Sequence, residues 1–326
     1  MISGPAASAP DAVAAAPAPS DAPQAARGAV EQAPDSVVVV LAQIAPRLGD
    51  LPANLERHLT VVAEARRGGG HLVVFPELSL TGYFLKDLVP EVAVRLDGPE
   101  LGAIAQACGD VDVLAGCVLE SEEARFFNAA VYISGGRVHH VHRKVYLPTY
   151  GLFDELRYIA PGDRFRVFDA PLRAAAPRRP WRAGVMVCED MWHPTSAGLL
   201  AREGVDAFLV PSASPGRGII QGAAPGTALS YDHMTRTYAQ LFTSYLVYCN
   251  RVGYEDGVSF WGGSRVVGPD GAPLHEPAGD DEVLIWHRLD LGALRRARLA
   301  YPLLRDERHD LVDDESDRLR RRRALD

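Results

Sequence analysis

The chain has 326 residues, of which 47% are hydrophobic and 23% are charged, and its formal net charge at pH 7 is −8. This length and composition suit a globular protein with a sizeable core, and the acidic balance argues against a nucleic-acid groove. No apolar run reaches the roughly 18 residues that a membrane-spanning helix needs. Because the N-terminus also lacks a basic, apolar signal segment, we expect a cytoplasmic protein without a membrane or nucleic-acid partner.

Composition divides the chain into three predicted parts. Residues 1–35 are rich in alanine and proline and lack apolar periodicity, which is typical of a disordered leader. Residues 36–312 carry the periodic apolar segments of a folded domain. Residues 313–326 form a charged tail that contains the arginine run 320–323, a pattern typical of a solvated helix face or a frayed end.

Strands and helices alternate along the folded domain. Short β-branched or strongly apolar runs predict strands at 36–45, 71–77, 111–119, 128–144, 181–190, 206–214, 245–253 and 264–274. The segment 128–144 is predicted to be two strands joined at Gly135-Gly136. Apolar residues at helical spacing predict helices at 54–67, 99–108, 195–203 and 228–245. This alternation predicts an α/β domain in which helices cover a mixed β-sheet core.

Cysteine and histidine spacing gives no sign of a metal. The cysteines form no CxxC pair and have no zinc-ligand spacing, which predicts free thiols. His139, His140 and His142 are close in sequence, but no further ligand lies at matching spacing. We therefore expect no metal site. A serine α/β-hydrolase and a dinucleotide-binding protein are not supported either, because neither GxSxG nor a GxGxxG after a strand is present.

Three polar side chains follow predicted buried strands. Glu77 ends VVFPE, Lys144 ends VHHVHRK and Cys188 ends GVMVC. Taken singly, each has an ordinary interpretation as a loop carboxylate, a solvated lysine or a small core residue. Because catalytic groups gather at the carboxyl ends of strands in α/β folds, we interpret the three together as a catalytic set.

These three groups suit the hydrolysis of a carbon–nitrogen bond. A cysteine thiol is mostly un-ionised at neutral pH, so a carboxylate such as Glu77 is needed as the base that takes the proton of Cys188. Lys144 keeps the carboxylate charged and stabilises the negative charge of a tetrahedral intermediate. The same acid–base residue then passes the proton to the leaving nitrogen. The backbone N–H after Cys188 is expected to form part of an oxyanion hole.

Three segments resemble the signature segments of the nitrilase superfamily of carbon–nitrogen hydrolases. They are FPELSLTGY (75–83), HRKVYLPTYGLFDELRY (142–158) and GVMVCEDMW (184–192). The likeness continues through LVPSASP (209–215), NRVGYEDGVSFWGGSRVVGPDG (250–271) and YPLLRDERHDL (301–311), so it covers roughly residues 36–312. The resemblance implies a four-layer α-β-β-α sandwich, a homodimer or higher homo-oligomer, and catalysis without a metal or organic cofactor.

The same resemblance implies roles for residues at the matching motif positions. Glu77 is the implied general base, Lys144 the third member of the triad and Cys188 the nucleophile. Glu155 matches a second glutamate that orients the substrate or handles protons. The Cys-Glu-Asp segment resembles the glutaminase domain of glutamine-dependent NAD synthetases, whereas nitrile-cleaving members have Cys-Trp-Glu. The implied substrate-binding residues are Tyr83, Tyr150, Phe153, Glu189 and Ser214.

Three functional hypotheses stay open from the sequence. The first is an amidase that releases ammonia from a small primary amide, such as glutamine or another ω-amide. The second is a nitrilase or an N-carbamoyl hydrolase. Because no GxxxxGK[ST] or SGGxDS-like segment is present, the third is a glutaminase subunit with a partner synthetase, or a non-catalytic binding protein. Arg217 follows Ser-Pro at a shorter offset than the carboxylate-binding arginine of that branch, which argues against strict glutamine specificity.

Overall fold

The computed structural model describes residues 35–216 and 226–323. The predicted leader, apart from its last residue, lies outside these ranges, as do Arg217 and the last three residues of the predicted tail. Within the described ranges, no helix combines the length and the apolar character that crossing a bilayer requires.

Strands and helices alternate through the described chain. The strands are β1 (Ser36–Gln43), β2 (Leu72–Val74), β3 (Asp112–Glu120), β4 (Phe126–Ser134), β5 (Arg137–Arg143), β6 (Val167–Ala170), β7 (Trp181–Val185), β8 (Ala207–Ser212), β9 (Tyr245–Asn250), β10 (Val252–Glu255), β11 (Val258–Trp261), β12 (Arg265–Val267) and β13 (Val283–Asp290). The α-helices are α1 (Leu51–Gly68), α2 (Val89–Val92), α3 (Pro99–Cys108), α4 (Pro194–Arg202), α5 (Gly226–Leu241), α6 (Leu291–Ala300), α7 (Leu303–Asp306) and α8 (His309–Arg323).

Two mixed β-sheets form the centre of the fold. The first has the strand order β13-β1-β2-β3-β4-β5, with β1, β2 and β3 parallel and the outer strands antiparallel to their neighbours. The second has the order β12-β9-β8-β7-β6, with β7, β8 and β9 parallel. Strands β10 and β11 form a separate hairpin. The predicted mixed-sheet architecture is therefore confirmed.

Side-chain alternation along the strands builds the four layers. On the first sheet, Val40 and Val73 pack with the apolar faces of α1 and α3, whereas Val39 and Val74 point into the core shared with the second sheet. The same shared core extends through the second sheet to apolar side chains of α4 and α5. Helices thus cover both outer faces, which confirms the predicted α-β-β-α sandwich.

Several element predictions differ from the structure. β6, β13 and α6 were not predicted, although β13 pairs with β1 along its whole length. β13 is a partly exposed edge strand, and its apolar run VLIW (283–286) is followed directly by His287 and Arg288 rather than by further apolar residues. The helix predicted at 228–245 ends at Leu241, and Thr243 adopts a left-handed φ of 41° before β9 begins. The described part of the charged tail, residues 313–323, lies in the exposed helix α8.

His58 of α1 is fully buried against the loop that follows β2. Its Nδ1 atom lies 2.7 Å from the Asn54 carbonyl oxygen, and its Nε2 atom lies 2.9 Å from the Ser79 hydroxyl. The ring also stacks on Phe75, with 3.9 Å between ring centroids. Burial lowers the pKa of His58 from 6.5 to about 4, so the folded protein keeps this imidazole neutral.

Acidification should therefore destabilise the fold through His58. The unfolded chain binds the proton first, so the stability from this group is present above pH 6.5 and is lost as the pH falls through about 4. Since one pKa unit corresponds to about 1.4 kcal/mol, we expect His58 to contribute a loss of about 3 kcal/mol between pH 7 and pH 4. Urea unfolding of the wild type and of His58→Gln at both pH values measures this contribution. The matched control is His233→Gln at an exposed position, and an unchanged pH dependence in His58→Gln would contradict the prediction.

Candidate active site

Glu77 lies on a turn after β2, at one edge of the first sheet. The turn approaches β3 so closely that a Cβ atom on Gly116 would lie 2.3 Å from the Pro76 carbonyl oxygen. The Glu77 side chain is buried and accepts the Asn128 side-chain amide at 2.7 Å and the Ala213 backbone N–H at 2.8 Å. Both oxygens of the carboxylate are therefore held in place before any substrate binds.

Lys144 directly follows β5 and is completely enclosed. Its Nζ atom donates to Oε1 of Glu77 at 2.7 Å and to Oε1 of Glu155 at 2.7 Å. Burial opposes the charge on Lys144, but the carboxylates of Glu155 and Glu77 outweigh burial and raise the pKa of the ammonium group well above its usual value. Lys144 is therefore a permanent cation between two carboxyl groups.

Glu155 joins this cluster from the 3₁₀ turn Glu155–Arg157. The hydroxyl of Tyr83 donates a hydrogen bond to the same oxygen that Lys144 contacts. Burial raises the pKa of Glu155 above its usual value, although the attraction of Lys144 opposes that rise. Burial, followed by the nearby charge of Glu155, also raises the pKa of Tyr83, so its hydroxyl stays a neutral donor.

Cys188 begins the 3₁₀ turn Cys188–Trp192 that follows β7. Its φ of 46° lies in the left-handed region, which is unusual for a residue with a side chain and marks local backbone strain. The Sγ atom lies 3.2 Å from the hydroxyl oxygen of Tyr231. Burial and the negative charge of Glu77 raise the pKa of the thiol well above its usual value, whereas Lys144 lowers it. The resting side chain is therefore a neutral thiol.

A cavity of about 380 Å³ opens beside Cys188. Polar and aromatic groups share its wall: the Tyr150 hydroxyl donates to the Glu189 carboxylate, at 2.9 Å from Oε2. Trp192 and Tyr231 complete the aromatic side, and the Trp192 indole N–H donates to the Tyr231 hydroxyl at 3.3 Å. The predicted substrate-binding residues that line this one cavity are Tyr83, Tyr150, Phe153, Glu189 and Ser214.

Asp190 connects the Cys188 turn with the segment after Lys144. Its fully buried carboxylate accepts the backbone N–H of Val187 at 2.9 Å and those of the two residues after Lys144 at 3.0 Å. It also contacts Nε2 of His142 at 2.8 Å.

In the part of the chain that the structure describes, no group of three or more potential ligands is placed to hold a metal ion.

The structure brings the predicted site residues together from distant parts of the chain. Glu77, Lys144 and Glu155 form one hydrogen-bonded cluster, and Cys188 lies within range of their charges. Sequence reasoning assigned no role to several supporting residues. Two of them lie in segments whose pattern indicates only a strand or a helix, and two lie inside the signature segment 184–192, where roles were assigned to Cys188 and Glu189 alone. The residues missed are Asn128, Asp190, Trp192 and Tyr231.

Comparison with known proteins gives consistent matches. The sequence profile of the family described as "Carbon-nitrogen hydrolase" matches residues 39–299. A glutamine-dependent NAD(+) synthetase of Thermotoga maritima is 35% identical over 81% of this chain and 44% of that protein. An (R)-stereoselective amidase of a Pseudomonas species is 34% identical over 88% of this chain and 97% of that enzyme. The solved carbon-nitrogen hydrolase of Helicobacter pylori G27 superposes with a TM-score of 0.72, at 26% identity over 86% of this chain and 98% of that one.

The extent of these matches differs between the relatives. The chain spans less than half the length of the T. maritima NAD synthetase but almost the whole length of the Pseudomonas amidase. The family profile covers most of the chain, and the solved relative shares its sandwich architecture. The chain therefore belongs to the carbon–nitrogen hydrolase family of the nitrilase superfamily and is an enzyme that acts on carbon–nitrogen bonds.

Proposed function

We propose that the protein is a cysteine-dependent amidase that releases ammonia from a small primary amide through a thioester acyl-enzyme. The observation that carries the proposal is the buried cluster of Lys144 with Glu77 and Glu155, together with Cys188, whose backbone is strained and whose side chain lines a cavity. Fixed charges of both signs around a cysteine suit nucleophilic attack on a carbonyl carbon.

The first half of the reaction starts from the neutral thiol. Glu77 takes the proton of Cys188 while Sγ bonds to the amide carbonyl carbon, and the carbonyl electron pair moves to the oxygen. Lys144 has three N–H donors, two of which contact the glutamates, so the third can serve the oxyanion. The carbon–nitrogen bond then breaks as Glu77 returns its proton to the nitrogen, and ammonia leaves.

The second half of the reaction hydrolyses the thioester. Water attacks the acyl carbon while Glu77 again accepts a proton, and the carbon–sulfur bond breaks. The sulfur then recovers the proton, which restores the thiol of Cys188 and releases a carboxylic acid. Glu155 and Tyr83 stay hydrogen-bonded on the other side of Lys144 and keep the ammonium group aimed at the reacting centre.

The cavity favours a short amide with a polar end. Glu189 and the Tyr150 hydroxyl offer hydrogen-bonding groups a short distance from Cys188, and aromatic rings form the remaining walls. An ω-amide such as glutamine combines a primary amide with a charged group at its other end, which hydrogen-bonding groups of the cavity wall can contact. A synthetase that takes up the released ammonia is a second candidate, because the T. maritima relative is itself named a glutamine-dependent synthetase.

Ammonia release from matched amides, nitriles and N-carbamoyl compounds tests the proposal. We expect turnover of primary amides, with glutamine among the compounds tested, and no release from Cys188→Ala because the bond-forming atom is missing. Cys249→Ala, which removes another buried thiol, is the matched control and should keep its activity. A preference for nitriles or N-carbamoyl compounds would contradict the amidase assignment, and full activity in Cys188→Ala would contradict the mechanism.

A further inference from the structure

The β10–β11 hairpin contacts the segment that carries Tyr83. Glu255, at the end of β10, is buried, and its Oε1 atom accepts the backbone N–H groups of Tyr83 at 2.7 Å and Phe84 at 2.5 Å. Phe260 of β11 packs against both rings, with centroid distances of 6.3 and 6.2 Å. The hairpin thus fixes both the backbone and the ring of the residue whose hydroxyl contacts Glu155.

A buried arginine holds Glu255 in this position. Arg251 is 1% exposed, and its guanidinium donates to the second oxygen of Glu255 and, at 3.1 Å, to the Pro46 carbonyl oxygen. The guanidinium carbon also lies 4.1 Å from the centroid of the Phe260 ring. Desolvation offsets much of the attraction in a buried ion pair, so such a pair is weak evidence for net stability. Its fixed geometry is the property that matters for the neighbouring site.

The same hairpin also contacts a second segment that borders the substrate cavity. The Gly216 backbone N–H donates to the Ser259 carbonyl oxygen at 2.9 Å. The Trp261 indole N–H donates to the hydroxyl of Ser214 at 3.3 Å. Tyr83 and Ser214 both line the cavity beside Cys188, so one hairpin connects two of its walls.

We propose that Glu255 is a positioning residue that holds Tyr83 against Glu155 and thereby sets the width of the amide-binding cavity. The proposal rests on the amidase function proposed above. Glu255 is not among the described residues that line the cavity, and its described hydrogen bonds do not reach Cys188. It therefore acts through the backbone of Tyr83. A change at Glu255 should therefore alter substrate handling without removing a group that takes part in the chemistry.

A pair of double variants isolates the acceptor oxygen of Glu255. Arg251→Met with Glu255→Gln removes both charges but keeps an oxygen for the Tyr83 and Phe84 N–H groups. Arg251→Met with Glu255→Leu removes the charges and the acceptor alike. Because a displacement of about 1 Å in a site can cost about 100-fold in rate, we expect kcat/KM for the best amide to fall about 10- to 100-fold in the leucine variant only. Equal kcat/KM in two folded variants would overturn the proposal.

A double-mutant cycle with Tyr83→Phe distinguishes positioning from general loosening of the fold. If Glu255 acts through the Tyr83 hydroxyl, the leucine variant should lose much less activity when that hydroxyl is already absent. Losses that multiply independently would overturn the proposal. Asp256→Asn is the matched control on the same hairpin, because it weakens only the exposed ion pair with Lys86 and should leave kcat/KM unchanged.

Alkylation of Cys188 by iodoacetamide supplies a readout that does not depend on turnover. This reagent carries a primary amide, and we expect its rate of reaction with Cys188 to fall about tenfold in the leucine variant but not in the glutamine variant. Identical alkylation rates would overturn the positioning role. A wild type that releases no ammonia from any amide, yet shows this difference in alkylation, would contradict the proposed function and leave the positioning role supported.

Discussion

Glu77→Gln should lower the pKa of the Cys188 thiol and at the same time abolish most of the ammonia release. Burial makes the largest contribution to the raised pKa of this thiol. The carboxylate of Glu77 makes the second largest, because it repels the thiolate, whereas Lys144 lowers the pKa. A neutral glutamine removes the repulsion but leaves Lys144 charged, because Glu155 still contacts it. Glutamine cannot take the thiol proton, so turnover should fall by about 10²- to 10⁴-fold, the range typical of a lost general base.

The pH dependence of Cys188 alkylation measures the first of these effects. Sulfur reacts as the thiolate, so a lower thiol pKa moves the rise in alkylation rate to lower pH. The matched control is Glu122→Gln at an exposed position, which should change neither the profile nor the turnover. A profile that does not shift in Glu77→Gln would show that the charge of Glu77 has no effect on the pKa of the Cys188 thiol. Retained turnover would assign the base to another group, for which Glu155, whose charge also acts on the thiol, is the first candidate.

The positions of the three proposed catalytic residues follow from strand direction. β2 and β7 run parallel to their inner neighbours, so Glu77 and Cys188 follow strands that end at equivalent edges. β4 is antiparallel to β3, and β5 is antiparallel to β4, so β5 again ends at the edge where β2 ends. Lys144 is therefore carried to the same edge as Glu77. Glu77 and Cys188 were predictable because each follows a short apolar run. Lys144 instead follows the histidine-rich segment VHHVHR on β5, an edge strand that is partly exposed rather than buried as predicted, so only the likeness of its segment to a family signature singles it out.

The supporting contacts were not predictable from local patterns. Asn128 lies 51 residues from Glu77 and belongs to a strand whose apolar run indicates only burial. Tyr231 lies on α5, where an aromatic residue at helical spacing indicates core packing rather than contact with a thiol. Glu255 is 172 residues from Tyr83 and ends the short strand β10, where a glutamate beside a turn is ordinary by composition. Such contacts depend on how the two sheets and the hairpin pack against each other. Local patterns in a single sequence do not reveal that packing.

Lys144→Met should destabilise the protein and make its stability depend strongly on pH. The substitution leaves the buried carboxyl groups of Glu77 and Glu155 without their shared cation. Removing one partner of a buried ion pair typically costs about 3–5 kcal/mol of unfolding free energy. Turnover should be lost as well, because the oxyanion loses its donor and the pKa of Glu155, already raised by burial, rises further without Lys144.

The sign of the pH effect separates this explanation from a simple packing defect. A carboxyl group whose pKa is higher in the folded state than in the unfolded chain favours folding at low pH, and that contribution disappears as the pH rises through the folded-state pKa. The stability deficit of Lys144→Met should therefore be smaller at pH 5 than at pH 8 in urea unfolding. Adding Glu155→Gln should recover stability at pH 8 without recovering turnover, because one buried negative charge is then removed. Lys86→Met, at an exposed ion pair, should leave the stability nearly unchanged at either pH, because solvent screens that pair. A deficit in Lys144→Met that is equal at both pH values would mean that lost packing, rather than uncompensated charge, causes the destabilisation.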